Sequence, residues 1–144
     1  MQFYRFIIGS ALLILTSCQH ALVRDSLPSV TRTGEVKDVV IKEDISPATL
    51  IAHPGDEIRW VNKRHVDVHV IFFTPVMELL TCQRNFERMR EADRNQYMAK
   101  VETNDTASAC FRRPTELTYV VSTKSSDVNR AQNLSGTITI SPGD

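Results

Sequence analysis

The chain has 144 residues, 42% of them hydrophobic and 24% charged, with seventeen basic and seventeen acidic side chains. That is one domain's worth of ordinary globular composition, which excludes the collagen-like, coiled-coil and disordered classes. Balanced charge, with Lys63-Arg64 and Arg112-Arg113 as the adjacent basic pairs, supplies no field to hold nucleic acid.

In chain order, the first element is an export signal. Arg5 precedes a ten-residue apolar run, Phe6 to Leu15, interrupted by Gly9 and Ser10. At 1.5 Å per residue a helix of that length spans about 15 Å, roughly half a bilayer core, so it reads as a secretory signal and not as a membrane span. The run ends in Leu15-Thr16-Ser17-Cys18, which resembles the bacterial lipobox. The resemblance implies removal of residues 1–17 as a lipoprotein signal peptide, acylation of Cys18 and attachment of the chain to a membrane through that lipid. Because Gln19 and not Asp follows the cysteine, the sorting pattern of such proteins implies an outer membrane, with the domain facing the periplasm, in a cell with two membranes. Residues 18–34 mix Ser, Thr, Pro and charges without period and read as a tether, leaving 35–144 as the folded domain.

Short β-rich runs broken by Pro and Gly dominate that domain. Strands are expected at Val36–Ile41, Thr49–Ala52, Glu57–Val61 and Val66–Phe73, with breaks at Ser46-Pro47 and at the turn His53-Pro54-Gly55-Asp56. The Val66–Phe73 run is nearly continuous in β-branched and aromatic residues, the pattern of a central strand covered on both faces. Gln83 to Lys100 differs. It has no β-branched residue, spaces Phe86, Met89 and Tyr97 at helical intervals and pairs Glu87 with Arg90 and Glu91 with Arg94, which predicts a short helical insertion over about 84–100. β character resumes at Thr106–Phe111, Leu117–Thr123 and Gly136–Ile140. The pattern predicts an all-β, two-sheet antiparallel sandwich with that one helical insertion, and a core built on Ile58, Trp60, Ile71, Phe111, Tyr119 and Ile138.

With Cys18 carrying lipid, Cys82 and Cys110 remain in an oxidising compartment, where a disulfide is the expected state. The alternative is a metal site. His65, Asp67 and His69 would share one face of an extended strand, and Met77, Cys82 and Cys110 are soft donors suited to Cu(I). No H-E-x-x-H, G-x-S-x-G, P-loop or G-x-G-x-x-G motif is present, and the scattered carboxylates give no acid–base pair, so an enzyme is not expected.

The segment Ile45 to Asn62, with Ser46-Pro47, the Pro54-Gly55-Asp56 turn and the alternating strand through Trp60 to Asn62, resembles the first half of cupredoxins such as plastocyanin and azurin. Leu117-Thr118-Tyr119-Val120-Val121 is similar to that family's strand into the copper loop, and Leu134 to Ile140 to its closing strand. The resemblance implies a Greek-key β-sandwich over roughly residues 36–140. It also implies where copper ligands would stand. The thiolate position, four after the strand tyrosine, is Thr123; the axial methionine position is Leu134; and no histidine occurs between Lys124 and Asn133. The remaining histidine position is five or six after Asn62; six reaches Val68, and His69 stands there only with a one-residue insertion. A blue-copper centre needs two imidazoles and a thiolate, so no cofactor is expected at the standard site. The sequence therefore points to a binding or structural module with a protein partner at the cell envelope; a copper-binding or electron-transfer cupredoxin with altered ligands, drawn from His65, His69, Cys82 and Cys110, is the alternative.

Overall fold

The computed structural model describes residues 32–91, 94–123 and 133–143, excluding the side chains of 89–91, 94 and 95. The signal segment, Cys18, the tether up to residue 31 and the 124–132 loop lie outside the described residues.

Runs that alternate apolar and polar side chains, such as Thr49–Ala52, Glu57–Asn62 and Thr115–Ser122, form strands with one buried face, whereas Thr106–Phe111 is buried along most of its length. The strands are β1 (Val36–Ile41), β2 (Ile45–Ser46), β3 (Thr49–Ala52), β4 (Glu57–Asn62), β5 (Val68–Phe72), β6 (Leu80–Arg84), β7 (Phe86–Glu91), β8 (Arg94–Val101), β9 (Thr106–Phe111), β10 (Thr115–Ser122) and β11 (Asn133–Ile140), with a 3-10 turn at Met77–Leu79. They make two packed sheets, ordered β2-β1-β4-β9-β6 and β3-β11-β10-β5-β8-β7. The expected all-β sandwich is present, with two departures.

The first is the region read as helical. Residues 86–101 form the antiparallel hairpin β7–β8, pairing Phe86 with Ala99 and Arg88 with Tyr97. Tyr97, Ala99 and Val101 alternate into the core while Lys100 faces water, a period of two that runs past the end of the helical-looking segment. Burial of that face outweighs the helix-forming composition of the hairpin's exposed side. The second departure is direction. β1 pairs with β4, and β3 with β11, in parallel. β3 runs down to the Pro54-Gly55 turn and β4 runs back up in the second sheet, so β4 repeats the direction of β1.

The turn itself follows from its residues. Pro54 fixes the first corner, Gly55 takes φ 94°, and the Asp56 N–H donates to the His53 carbonyl at 3.1 Å. It marks one end of the sandwich, here the Gly55 end. Asn62, at the far end of β4, marks the other, about 17 Å from Glu57 along the five rises of the strand.

Between the sheets Trp60 meets Phe72, Phe86 and Tyr119 edge-on at 5.8, 5.3 and 5.6 Å between ring centres. Ile58, Phe111 and Ile138 join this core as expected. Ile71 does not. The burial of β5 alternates, with Val68, Val70 and Phe72 inward and His69 and Ile71 only half-covered on the outer face. Phe72 takes the core place that the sequence assigns to Ile71, because the strand is covered fully on one face only.

Candidate functional site

The Asn62 end is organised by one buried amide. Asn62 is fully buried, and its Nδ2 group donates to the carbonyls of Val66, Val101 and Glu102 at 2.9, 3.0 and 3.2 Å. Its Oδ1 accepts the Arg64 N–H at 2.9 Å. One side chain thus ties the 63–67 segment to the turn after β8. The strand-ending Asn of the sequence resemblance is here a structural hub.

The ligand positions follow from the strand register. β5 lies beside β10, with His69 opposite Ser122 and Val70 opposite Val121. One step further along that ladder places Val68 opposite Thr123. Val68, Val121 and Thr123 are all buried, and Leu134, paired with Val121 across β10–β11, packs against the core. The positions that the sequence resemblance implies for copper ligands thus carry Val68 and Thr123, both buried, and Leu134, packed against the core. His69 leaves β5 on the opposite face of the pleat, alongside Ser122 and Lys100.

The other sequence candidates are dispersed. His65 is exposed in a bend at 64–66 and not in a strand, since β5 begins only at Val68; the expected strand face of His65, Asp67 and His69 does not exist. Asp67 instead pairs with Lys100 at 2.9 Å, and the hydrogen bond from that ammonium holds its carboxyl below the ordinary aspartate range. Cys82 and Cys110 form a disulfide between β6 and β9, with Cα atoms 4.9 Å apart. Cys110 lies opposite Glu57, so the disulfide sits toward the Gly55 end, away from His65 and His69. Met77 is in the 3-10 turn leading into β6 at that same end. The soft donors and the imidazoles at positions 65 and 69 thus occupy opposite ends of the sandwich. Among the described residues, no three His, Cys, Asp or Glu side chains are grouped as metal ligands.

Tyr119, the aromatic residue four before Thr123, is fully buried. Its ring covers the Cα of Gly136 on β11, where any Cβ would collide with the phenol. Burial pushes its hydroxyl up to about 12, with a weaker opposite pull from Trp60 beside it, so the phenol is neutral at physiological pH.

Comparison with known structures bears on this arrangement. A Cu(I) form of a methionine-substituted amicyanin superposes with a TM-score of 0.51 at 14% identity, covering 79% of this chain and 95% of that one. A reduced tryptophan-substituted amicyanin gives 0.52 at 12% identity, covering 75% and 84%. The fold is cupredoxin-like. No protein-family model and no curated protein matches the chain. The residues at the ligand positions implied by the sequence resemblance can be tested by their chemistry. Val68 and Leu134 have no donor atom, and a threonine hydroxyl does not ionise near neutral pH and is a poor ligand for Cu(I). The Lys124–Gln132 stretch contains no His, Cys or Met, so it supplies none of the missing ligands.

The Gly55 end holds an interaction that the sequence did not single out. Asp56 is almost fully buried; its carboxylate accepts the Thr33 hydroxyl at 2.6 Å and the His53 N–H at 2.9 Å, with Lys37 at 4.0 Å. Burial alone would raise its pKa, but these partners outweigh it and the pKa is lowered. Residues 32–34 are thereby fastened to the domain, with Arg32 on Glu57 at 3.1 Å and the Thr33 N–H on the Gly55 carbonyl at 3.2 Å. A Gly-Asp turn looks like punctuation in a sequence, and nothing there marks the aspartate as a docking point.

Proposed function

We propose that the chain is an exported, lipid-anchored cupredoxin-like module that has lost type 1 copper and serves as a binding or structural protein at the cell envelope. The observation that supports this reading most is the set Val68, Thr123 and Leu134, which keeps the packing at the metal positions with side chains that cannot bind copper. The Cys82–Cys110 disulfide supports it further, since it withholds both thiolates. On this reading the module is not an enzyme, carries no resident cofactor and binds a protein partner through its surface. The lipobox-like Leu15-Thr16-Ser17-Cys18 supports attachment to a membrane, and Gln19 supports outer-membrane sorting with the domain facing the periplasm.

Copper titration of the full chain beside His69→Ala tests the copper reading. The expected result is no tight one-equivalent binding and no intense visible band in either protein. A blue band in the wild type that disappears in His69→Ala would instead establish a copper carrier with altered ligands. Fatty-acid labelling tests the anchor: incorporation into the wild type and none into Cys18→Ala is expected, and equal labelling of both would refute acylation at that residue.

A further inference from the structure

The Gly55 end carries apolar side chains that the domain leaves uncovered. Phe73, directly after β5, and Met77, the first residue of the 3-10 turn, are 55% and 47% exposed. Backbone hydrogen bonds link this turn to the place where residues 32–34 join the domain. The Thr33 N–H donates to Gly55, the Gly55 N–H to Phe111 at 2.9 Å, and the N–H of the next residue, Arg112, to Leu79 at 2.8 Å. Arg112 also donates through Nη2 to the Leu80 carbonyl at 2.8 Å, and Arg113 beside it is exposed. The two exposed apolar side chains, an exposed arginine and the chain's passage toward Cys18 thus share one end of the sandwich.

We propose that this end docks on a phospholipid surface, with Phe73 and Met77 entering the boundary between headgroups and acyl chains and Arg113 facing the phosphates. The inference rests on the acylation of Cys18 for bringing the surface near, and on the exposed residues for the contact itself. Residues 19–31 join Cys18 to Arg32, and even fully extended they reach no more than about 50 Å, so lipid is kept within that distance of the end the chain leaves from. Such tethering raises the effective concentration of lipid at that end to the order of millimolar or above, where a contact too weak to recruit a free protein suffices. An aromatic ring and a flexible thioether suit an interface that is apolar on one side and wet on the other, and an arginine can lie along it with its head toward phosphate. The basic residues are largely offset: Arg32 is paired with Glu57, Lys37 with Glu35, and Glu78 is exposed beside Met77. Insertion, not net charge, therefore carries the contact, and it should persist at high salt.

The test uses the full acylated chain in phosphatidylcholine–phosphatidylglycerol vesicles. With Cys18 acylated and Cys82 bonded to Cys110, Met77→Cys or Lys63→Cys introduces a single free thiol for a nitroxide label. Flotation verifies attachment, and relaxation by oxygen against a water-soluble nickel complex reads depth. The expected result is a label at 77 several-fold more accessible to oxygen relative to nickel than the label at 63, at low and high salt alike, and returned toward water by adding Phe73→Ser. Two aqueous labels on a chain that floats would overturn the docking and leave the anchor standing. A label at 77 shielded from both reagents would mean a protein contact and would also overturn it. A chain that does not float would overturn the anchor, and the docking with it.

Discussion

Single residues at the two ends of the sandwich carry consequences out of proportion to their size. Asn62 satisfies three carbonyls and one N–H, so Asn62→Ala strands several buried polar groups at once. A loss of about 2–4 kcal/mol is expected in urea unfolding, and a loss below 1 kcal/mol would show that water replaces the amide without cost. Gly136 is constrained differently: Gly136→Val must displace the Tyr119 ring from the core. About 2–4 kcal/mol should be lost, with a changed near-ultraviolet circular dichroism signal from the Trp60–Tyr119 pair, while Thr137→Val on the adjacent face should be nearly silent. Asp56 sets a pH dependence whose sign follows from its lowered pKa. The folded state prefers the carboxylate, so its contribution is complete above the unfolded aspartate value near ~3.9 and is lost as the pH falls through the lower folded value. Denaturant midpoints of Asp56→Asn should therefore fall less than wild type between pH 6 and pH 2, and parallel curves would exclude this role.

Among the elements, those readable from sequence are those whose environment is local. Thr49–Ala52 and Thr106–Phe111 have the bounds their β-branched content and flanking turns dictate, and Gly55 sits in the left-handed region its turn requires. The β7–β8 hairpin was illegible because an edge hairpin exposes one side, and that side includes Glu87, Gln96, Met98 and Lys100, residue types that also build helices. Its signal lay in Tyr97-Met98-Ala99-Lys100-Val101, whose alternation is cut short if the segment is closed at Lys100. Whether Val68 or His69 faces the core was not legible, because it depends on which pleat face β5 turns inward, and only its place in the sheet beside β10 decides that. The disulfide was legible as a pairing and not as a place: counting cysteines joins Cys82 to Cys110, but only the β6–β9 register shows that they lie toward the end opposite the candidate histidines. Closing 28 residues, it should contribute about 3–4 kcal/mol in the chain-entropy model. Reduction should lower the denaturant midpoint and leave a cooperative transition supported by the Trp60 core, and an unchanged midpoint would contradict that.

For the whole molecule, the two ends are built differently: at one the buried Asn62 amide gathers the backbone, and at the other residues 32–34 join the domain and Phe73 and Met77 stand exposed. The sheet order also has a temporal meaning. β3 is an edge strand whose ladder partner is β11, and Ala52 meets Ile140 at its end. A chain made from its N-terminus has Thr49–Ala52 in hand long before Asn133–Ile140 arrives, so the six-stranded sheet cannot close until β11 is delivered. Pairings this distant in sequence make folding slow and leave strand edges open meanwhile. A nascent or stalled chain ending before residue 133 would therefore present the bare edges of β3 and β10 to any chaperone or protease it meets, and its survival would depend on how quickly β11 follows.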